Sequence, residues 1–133
     1  MVFDTFGVVA IAAASVSGFV FGAAWYGMLG KVWMRAANLS EAATKPSAAT
    51  MIIGFVCQTV MVLTMAGVMW HTAATTIRAG MITAVFIWVG FVVTTMIVNH
   101  RFQGQKWALT FVDAGHWFGV LMIQGGMLGA LSH

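Results

Sequence analysis

The sequence predicts an all-α integral membrane protein, a bundle of four transmembrane helices forming a single domain over residues 1–133. Three observations carry that reading. The chain is 61% hydrophobic and 7% charged, whereas soluble domains average about 25% charged residues; six basic and three acidic side chains cannot keep a soluble surface of this size hydrated. Four apolar runs, at about residues 6–29, 48–70, 79–98 and 107–131, each reach the roughly 20 residues a helix needs to cross a hydrocarbon core about 30 Å thick. No run alternates in the manner of a membrane β-barrel, which leaves the helix as the form whose backbone satisfies itself in lipid. A soluble enzyme, a DNA-binding module, a disulfide scaffold and a disordered tail are thereby excluded.

Helix one opens without Lys or Arg and carries Asp4. Its apolar stretch is longer than the 7–15 residues of a secretory h-region, so it reads as a retained helix. At 100° per residue, Ala14, Gly18, Gly22 and Trp25 share a face, with Ser15 beside them. Gly18-x-x-x-Gly22 is a small-residue motif that lets two backbones approach closely in lipid. It fits packing within one chain or a contact between subunits.

Residues 30–47 read as a cytoplasmic interfacial loop. Trp33, Met34 and Leu39 alternate with Lys31, Arg35 and Asn38, which predicts a short interfacial helix over Lys31–Leu39. Ser40 is placed to cap a turn through Glu41–Ala43, and Pro46 with Ser47 marks the start of helix two.

Helix two bears a stripe of Met51, Gly54, Gln58, Met61, Met65 and Met69. Thioethers are soft ligands that suit Cu(I), so Met61, Met65 and Met69 form an alternative metal site. The competing reading is flexible core filling, and no metal is expected. Cys57, the single cysteine, permits no intrachain disulfide and reads as a small buried hydrophobe.

Helix three places Trp88, Thr95 and Asn99 on one side and Thr83, Gly90 and Thr94 on the other. Its threonines can bond to their own backbone. Asn99 is expected to bond across helices at the helix end.

Helix four has two faces. Gly115, Gly119, Met122, Gly126 and Gly129 form one, which invites a second helix. Asp113, His116, Trp117, Val120 and Gln124 form the other. Counted from Trp107, Asp113 lies roughly 9 Å and His116 roughly 13 Å into the span. Ionisable groups at such depth are costly and face the bundle interior. Spaced i, i+3, the pair is able to interact. With Gln124 and Asn99 it makes a candidate polar pathway that relays protons, gates a cation or binds a polar group. The alternative is a structural clasp, the carboxylate being satisfied by His116, Asn99 or Arg101. No serine or cysteine nucleophile is spaced beside the pair, so no enzymatic reaction is expected. Of the four histidines only His116 is deep; a bis-His haem would need a symmetry mate, and no cofactor is expected.

Lys31, Arg35 and Lys45 lie in the first loop and Arg101 and Lys106 in the third. Four spans put these loops on one side, which the positive-inside rule makes cytoplasmic, with both termini outside. The net charge of +3 therefore reads as membrane orientation, and no nucleic-acid partner is expected. Trp25, Tyr26, Trp33, Trp70 and Trp107 fall near the predicted interfaces as anchors.

The segment from Gly22 through Trp25-Tyr26-Gly27, Gly30-Lys31 and Trp33-Met34 resembles the small bacterial membrane family known as domain of unknown function 1761. Two further segments agree: Gly80 through Trp88 with Gly90-Phe91, Asn99, Phe102 and Gly104; and Asp113-Ala114-Gly115-His116 with its glycine-rich continuation. The resemblance covers nearly the whole chain. Where many members carry proline after Trp-Tyr-Gly, this chain has Met28. The resemblance implies a four-helix membrane fold and no particular activity, and it brings Trp25, Tyr26, Trp33, Asn99 and Asp113 forward. The expected protein is a multi-pass protein of the bacterial inner membrane. It is expected to be a homo-oligomeric transporter or channel with an Asp113/His116 site, or else a non-catalytic accessory subunit of a larger membrane complex.

Overall fold

The computed structural model describes residues 1–41 and 45–133; the turn expected at Glu41–Ala43 extends outside them. Among the described residues the chain is helical, with no strand. A single turn, α1 (Val2–Thr5), precedes α2 (Val8–Ala37), α3 (Ala48–His71), α4 (Ile77–Phe102) and α5 (Trp107–Ala130). Ser47 caps α3 by accepting the Thr50 N–H at 3.2 Å, and Thr76 caps α4 by accepting the Ala79 N–H at 3.1 Å. Each satisfies one of the orphan donors of a helix start.

Among the described residues, α2, α3 and α4 are long and apolar enough to cross a membrane. Although α5 has 24 residues, about 36 Å of helix, it is not one of these three. It carries Asp113, His116 and Gln124 and is buried at intervals from Leu109 to Gly129. Its main neighbours are α2 and α4, while α3 packs chiefly on α2. The helix that carries Asp113, His116 and Gln124 is thus the one most enclosed by protein, as the cost of exposing such groups to lipid requires.

The expected interfacial helix over Lys31–Leu39 is not a separate element. α2 runs unbroken to Ala37 and ends at Asn38, whose left-handed backbone (φ 56°) closes it. With Met28 rather than proline in this stretch, nothing interrupts the hydrogen-bond ladder, and Gly30 is tolerated inside it. Cys57 is exposed on the outer surface of α3 rather than buried in protein. Its apolar surroundings are the surface of the bundle.

The helix ends sort into two groups. At one end the His133 N–H donates to the Thr5 carbonyl at 3.0 Å, and the Ser132 hydroxyl donates to the Thr75 carbonyl at 2.6 Å. The chain ends and the α3–α4 turn therefore lie together. At the opposite end the Lys106 ammonium donates to the Arg35 carbonyl at 3.4 Å, joining the ends of α2 and α5. The apolar core, with Phe6, Ile11, Val62, Met65, Met69 and Leu128, lies toward the chain ends. Near it the backbones of α4 and α5 touch: a Cβ on Gly125 would collide with the Gly80 carbonyl, and one on Gly129 with the Thr76 carbonyl. Met65 and Met69 are fully enclosed in this core, with Met61 packed against it, so the stripe fills space there.

Within α4, Trp88–Val93 forms a π-helical turn. This wider turn shifts the register of the faces. Before it Gly80 and Ala84 are buried; from Trp88 to Phe102 no residue is. Thr83 and Thr94 donate to the carbonyls of Ala79 and Gly90, each at 2.9 Å, which satisfies their hydroxyls locally.

Candidate functional site

The position of α5 at the basic end is set by hydrogen bonds from both sides. The Trp25 indole of α2 donates to the Val112 carbonyl at 3.1 Å, and the Trp88 indole of the π turn donates to the Ala114 carbonyl at 2.9 Å. These carbonyls flank Asp113. Between them the Tyr26 hydroxyl donates to Asp113 Oδ1 at 2.7 Å. Two indoles fix the helix and a phenol fixes the carboxyl group.

Glycines make this approach possible, and they alternate between partners. The Trp25 ring lies 2.8 Å from where a Cβ on Gly115 would be, and Phe21 fills the same place at Gly119. Conversely, His116 Nε2 lies 2.7 Å from the Cβ position of Gly22. At Gly18, Gln58 Oε1 and Gln124 Nε2 converge to 2.8 and 2.9 Å from that position. Each missing side chain on one helix is occupied by a ring or an amide from another.

His116 is 5% exposed and sits among rings. Its centroid lies 4.8 Å from that of Tyr26, 4.5 Å from Trp117 and 6.4 Å from Phe21. Its Nδ1 is buried without a hydrogen-bond partner among the described residues. The same holds for Gln58 Oε1 and for both polar atoms of the Gln124 amide. Gln58 is 5% and Gln124 0% exposed. Burying such groups unpaired costs about 1–3 kcal/mol each, so a cluster of them marks a place where a partner belongs.

Beside this cluster lies a cleft of about 920 Å³ between α2, α3 and α5, with Met96 contributed by α4. Asp113, His116 and Gln58 form its inner wall; Phe19, Tyr26, Trp33 and Trp117 supply rings; Lys45, Ser47 and Thr50 lie at its outer part. The outer part belongs to the basic end, because Lys45–Thr50 leads into α3 and Trp33 lies in the last turns of α2. The Trp33 ring meets the Tyr26 ring edge-on at 5.5 Å.

The expected site residues are distributed unevenly over this geometry. Asp113 and His116 share the cleft, but the carboxyl group bonds to Tyr26 and not to His116, Asn99 or Arg101. The partner comes from α2, which the spacing within α5 did not reveal. Asn99 is exposed on α4 and does not line the cleft. Arg101 instead donates to Thr110 Oγ1 at 2.9 Å and lies 3.7 Å over the Trp107 ring, while His100 Nδ1 meets the same hydroxyl at 2.8 Å. Gln124 is deep, one helical stretch below His116. Trp25 and Tyr26 bond to α5, and Tyr26 and Trp33 line the cleft. Gly18, Gly22, Gly115 and Gly119 serve contacts inside the chain; Gly126 makes a looser one, 3.8 Å from Met81 to its Cβ position.

Sequence reading missed the contact between Gly80 and Gly125 and the place of Gln58 in the cleft wall. An amide within a methionine stripe was the available signal for Gln58, since lipid tolerates Met and disfavours a glutamine. Among the described residues no group of three His, Cys, Asp or Glu side chains is placed to hold a metal ion.

A family model described as "Protein of unknown function (DUF1761)" matches residues 9–129. No curated protein and no solved structure matches the chain. The three sequence segments that carried the resemblance meet at one place, where Trp25 and Tyr26, Trp88, and Asp113-Ala114-Gly115-His116 bond or pack together.

Proposed function

The chain belongs to the DUF1761 family of proteins of unknown function, and we propose that it binds a small polar or amphipathic solute in the cleft as the loading site of a transport cycle. The observation that carries this reading is the inner wall of the cleft. His116 and Gln58, each 5% exposed, line it beside an Asp113–Tyr26 pair, each with a buried atom that has no partner among the described residues, and the space is large enough for a small molecule. A hydrogen-bonding head would meet Asp113, His116 and Gln58, and an apolar body would lie along Phe19, Trp33 and Trp117. This matches the usual make-up of ligand pockets, mostly apolar with a few convergent polar groups.

The cleft leads inward from Lys45–Thr50 at the basic end to His116 and Gln58. A site of roughly mid-membrane depth open toward one side fits a carrier better than a continuous pore. In this reading the protein is a four-helix bundle of a bacterial inner membrane, with α5 as the enclosed fourth span. The basic end is cytoplasmic and both termini are outside. It acts without bond chemistry or cofactor.

The second reading is an accessory or scaffold subunit. It rests on α4, which buries little of its length in the chain and whose Phe86 and Phe91 are exposed. A second copy or a larger membrane complex would cover this face.

A solute panel tests the first reading by thermal shift and by quenching of tryptophan fluorescence, since Trp33 and Trp117 line the cleft. A binding solute should lose at least about tenfold in affinity on Asp113→Asn and on Gln58→Leu, keep it on Asn99→Ala, and cross proteoliposome membranes with the wild-type protein. Solutes that bind equally well to both cleft variants would reject the reading.

A further inference from the structure

A second pocket lies at the same end of the molecule, outside the cleft. It is lined by Lys31, Met34, Arg35, Asn38, Leu39 and Lys106 and has a volume of about 760 Å³. Three cationic side chains from two different helix ends face it, and among the described residues no carboxylate lines it. Their heads are partly held in place. Arg35 uses Nε on the Lys31 carbonyl, and Lys106 uses one N–H on the Arg35 carbonyl, both at 3.4 Å. Their other N–H donors have no protein partner among the described residues. Met34 is half-buried and Leu39 exposed, so the same pocket has an apolar wall.

Depth selects the occupant. At 30 residues, α2 is about 45 Å long, longer than a hydrocarbon core of about 30 Å. Its last turns, which carry Lys31, Met34 and Arg35, therefore reach the headgroup layer. Arg101 stacked on Trp107, 3.7 Å from ring centre to guanidinium, sits beside Lys106 as an aromatic–cation pair does at that depth. A ligand here has to present a negative group to three cations and apolar matter to Met34 and Leu39. Basic pockets between membrane helices suit lipid phosphates in this way.

We propose that the pocket formed by Lys31, Arg35 and Lys106 is a binding site for an anionic phospholipid, its phosphate among the three cations and its first methylenes against Met34 and Leu39. This site is independent of the cleft and of the transport reading.

The test compares lipid retention by the full chain in mild detergent, read by native mass spectrometry. The probes are phosphatidylglycerol and phosphatidylcholine of the same acyl chains. Wild-type protein should retain phosphatidylglycerol at least about fivefold over phosphatidylcholine. Lys31→Gln with Lys106→Gln should abolish that preference, while Lys31→Arg with Lys106→Arg keeps it. A control of Lys45→Gln with Arg78→Gln removes equal charge outside the pocket and should keep it too. Equal retention of the two lipids, or equal loss in the control, would overturn the proposal, the latter by showing a diffuse charge effect. Displacement of the lipid by millimolar inorganic phosphate would overturn it as well, because the site would then take the bare anion. Should the glutamine variant not fold, a diazirine-tailed phosphatidylglycerol on the wild type decides: labelling within Met34–Leu39 supports the site, and labelling elsewhere rejects it.

Discussion

The two halves of α5 meet their neighbours by different physics. At Gly125 and Gly129 the helix touches α4 backbone to backbone. From Val112 to Gly119 it is held by indole and phenol hydrogen bonds, with rings filling the glycine notches. The first half gains dispersion and leaves no room. The second half leaves a cleft and, at His116 Nδ1, a buried polar atom without a partner among the described residues. Lipid offers no hydrophobic drive to helix association, so close backbone packing is what stabilises this fold. The polar half is then free to stay loosely filled. The contrast assigns stability to the glycine end and ligand chemistry to the aromatic end, and it is open to direct attack.

The largest effect is expected from Gly125→Leu. Even a Cβ there collides with the Gly80 carbonyl, and Met65 Sδ stands 3.3 Å away on the other side. Backbone cannot swing aside as a flexible side chain does, so α4 and α5 must separate. The cost should exceed about 3 kcal/mol, at the upper end of overpacking penalties, and the variant should lose its monodisperse peak in detergent chromatography. Gly22→Ala attacks the other half with one added carbon in place of four. There the obstacle is the His116 ring edge, the far end of a side chain, and the loss should stay near 1 kcal/mol. If the two melt alike, the division of labour within α5 is wrong.

Trp25→Phe and Trp88→Phe come next. Each keeps a ring and removes an indole N–H from a carbonyl flanking Asp113. Interhelical hydrogen bonds in membranes contribute about 0.6 kcal/mol on average and up to about 1.7. Each variant should fall in that range by thermal melting, and their effects should add if the two indoles act on α5 independently.

Asp113→Asn with Tyr26→Phe probes the pair itself. A double-mutant cycle should return a coupling of about 0.6–1.7 kcal/mol and leave the helices intact by circular dichroism. Complete unfolding on Asp113→Asn alone would make the pair a structural clasp and remove the site from the aromatic half.

How much of this was legible in the sequence follows from what hydropathy and spacing can report. Run lengths located the long helices, because lipid imposes both their length and their composition. Pairings within one helix were legible as faces: Asp113 and His116 do share a cleft. Pairings between helices were not, because no spacing rule relates Tyr26 to Asp113 across 87 residues, or Gly80 to Gly125. The aromatic residues were read as lipid anchors since Trp and Tyr near a span's end favour the interface. Nothing in a single helix tells whether such a ring faces lipid or a neighbour. Gln58 was hidden for a similar reason, its stripe being read by its methionines.

The smallest effect is expected at Asn99, which the sequence joined to Asp113 and the structure leaves exposed on α4. The half of α4 that bears it, Thr94–Phe102, has no buried residue, so the amide has no packing to lose. Asn99→Ala should change stability by no more than about 0.5 kcal/mol, as for a surface substitution, and should leave solute affinity in the cleft unchanged. A loss comparable to that of Asp113→Asn would mean that α4 closes over the cleft in another state of the protein. The polar half of α5 would then be a moving part, held still here by two indoles, rather than a fixed wall.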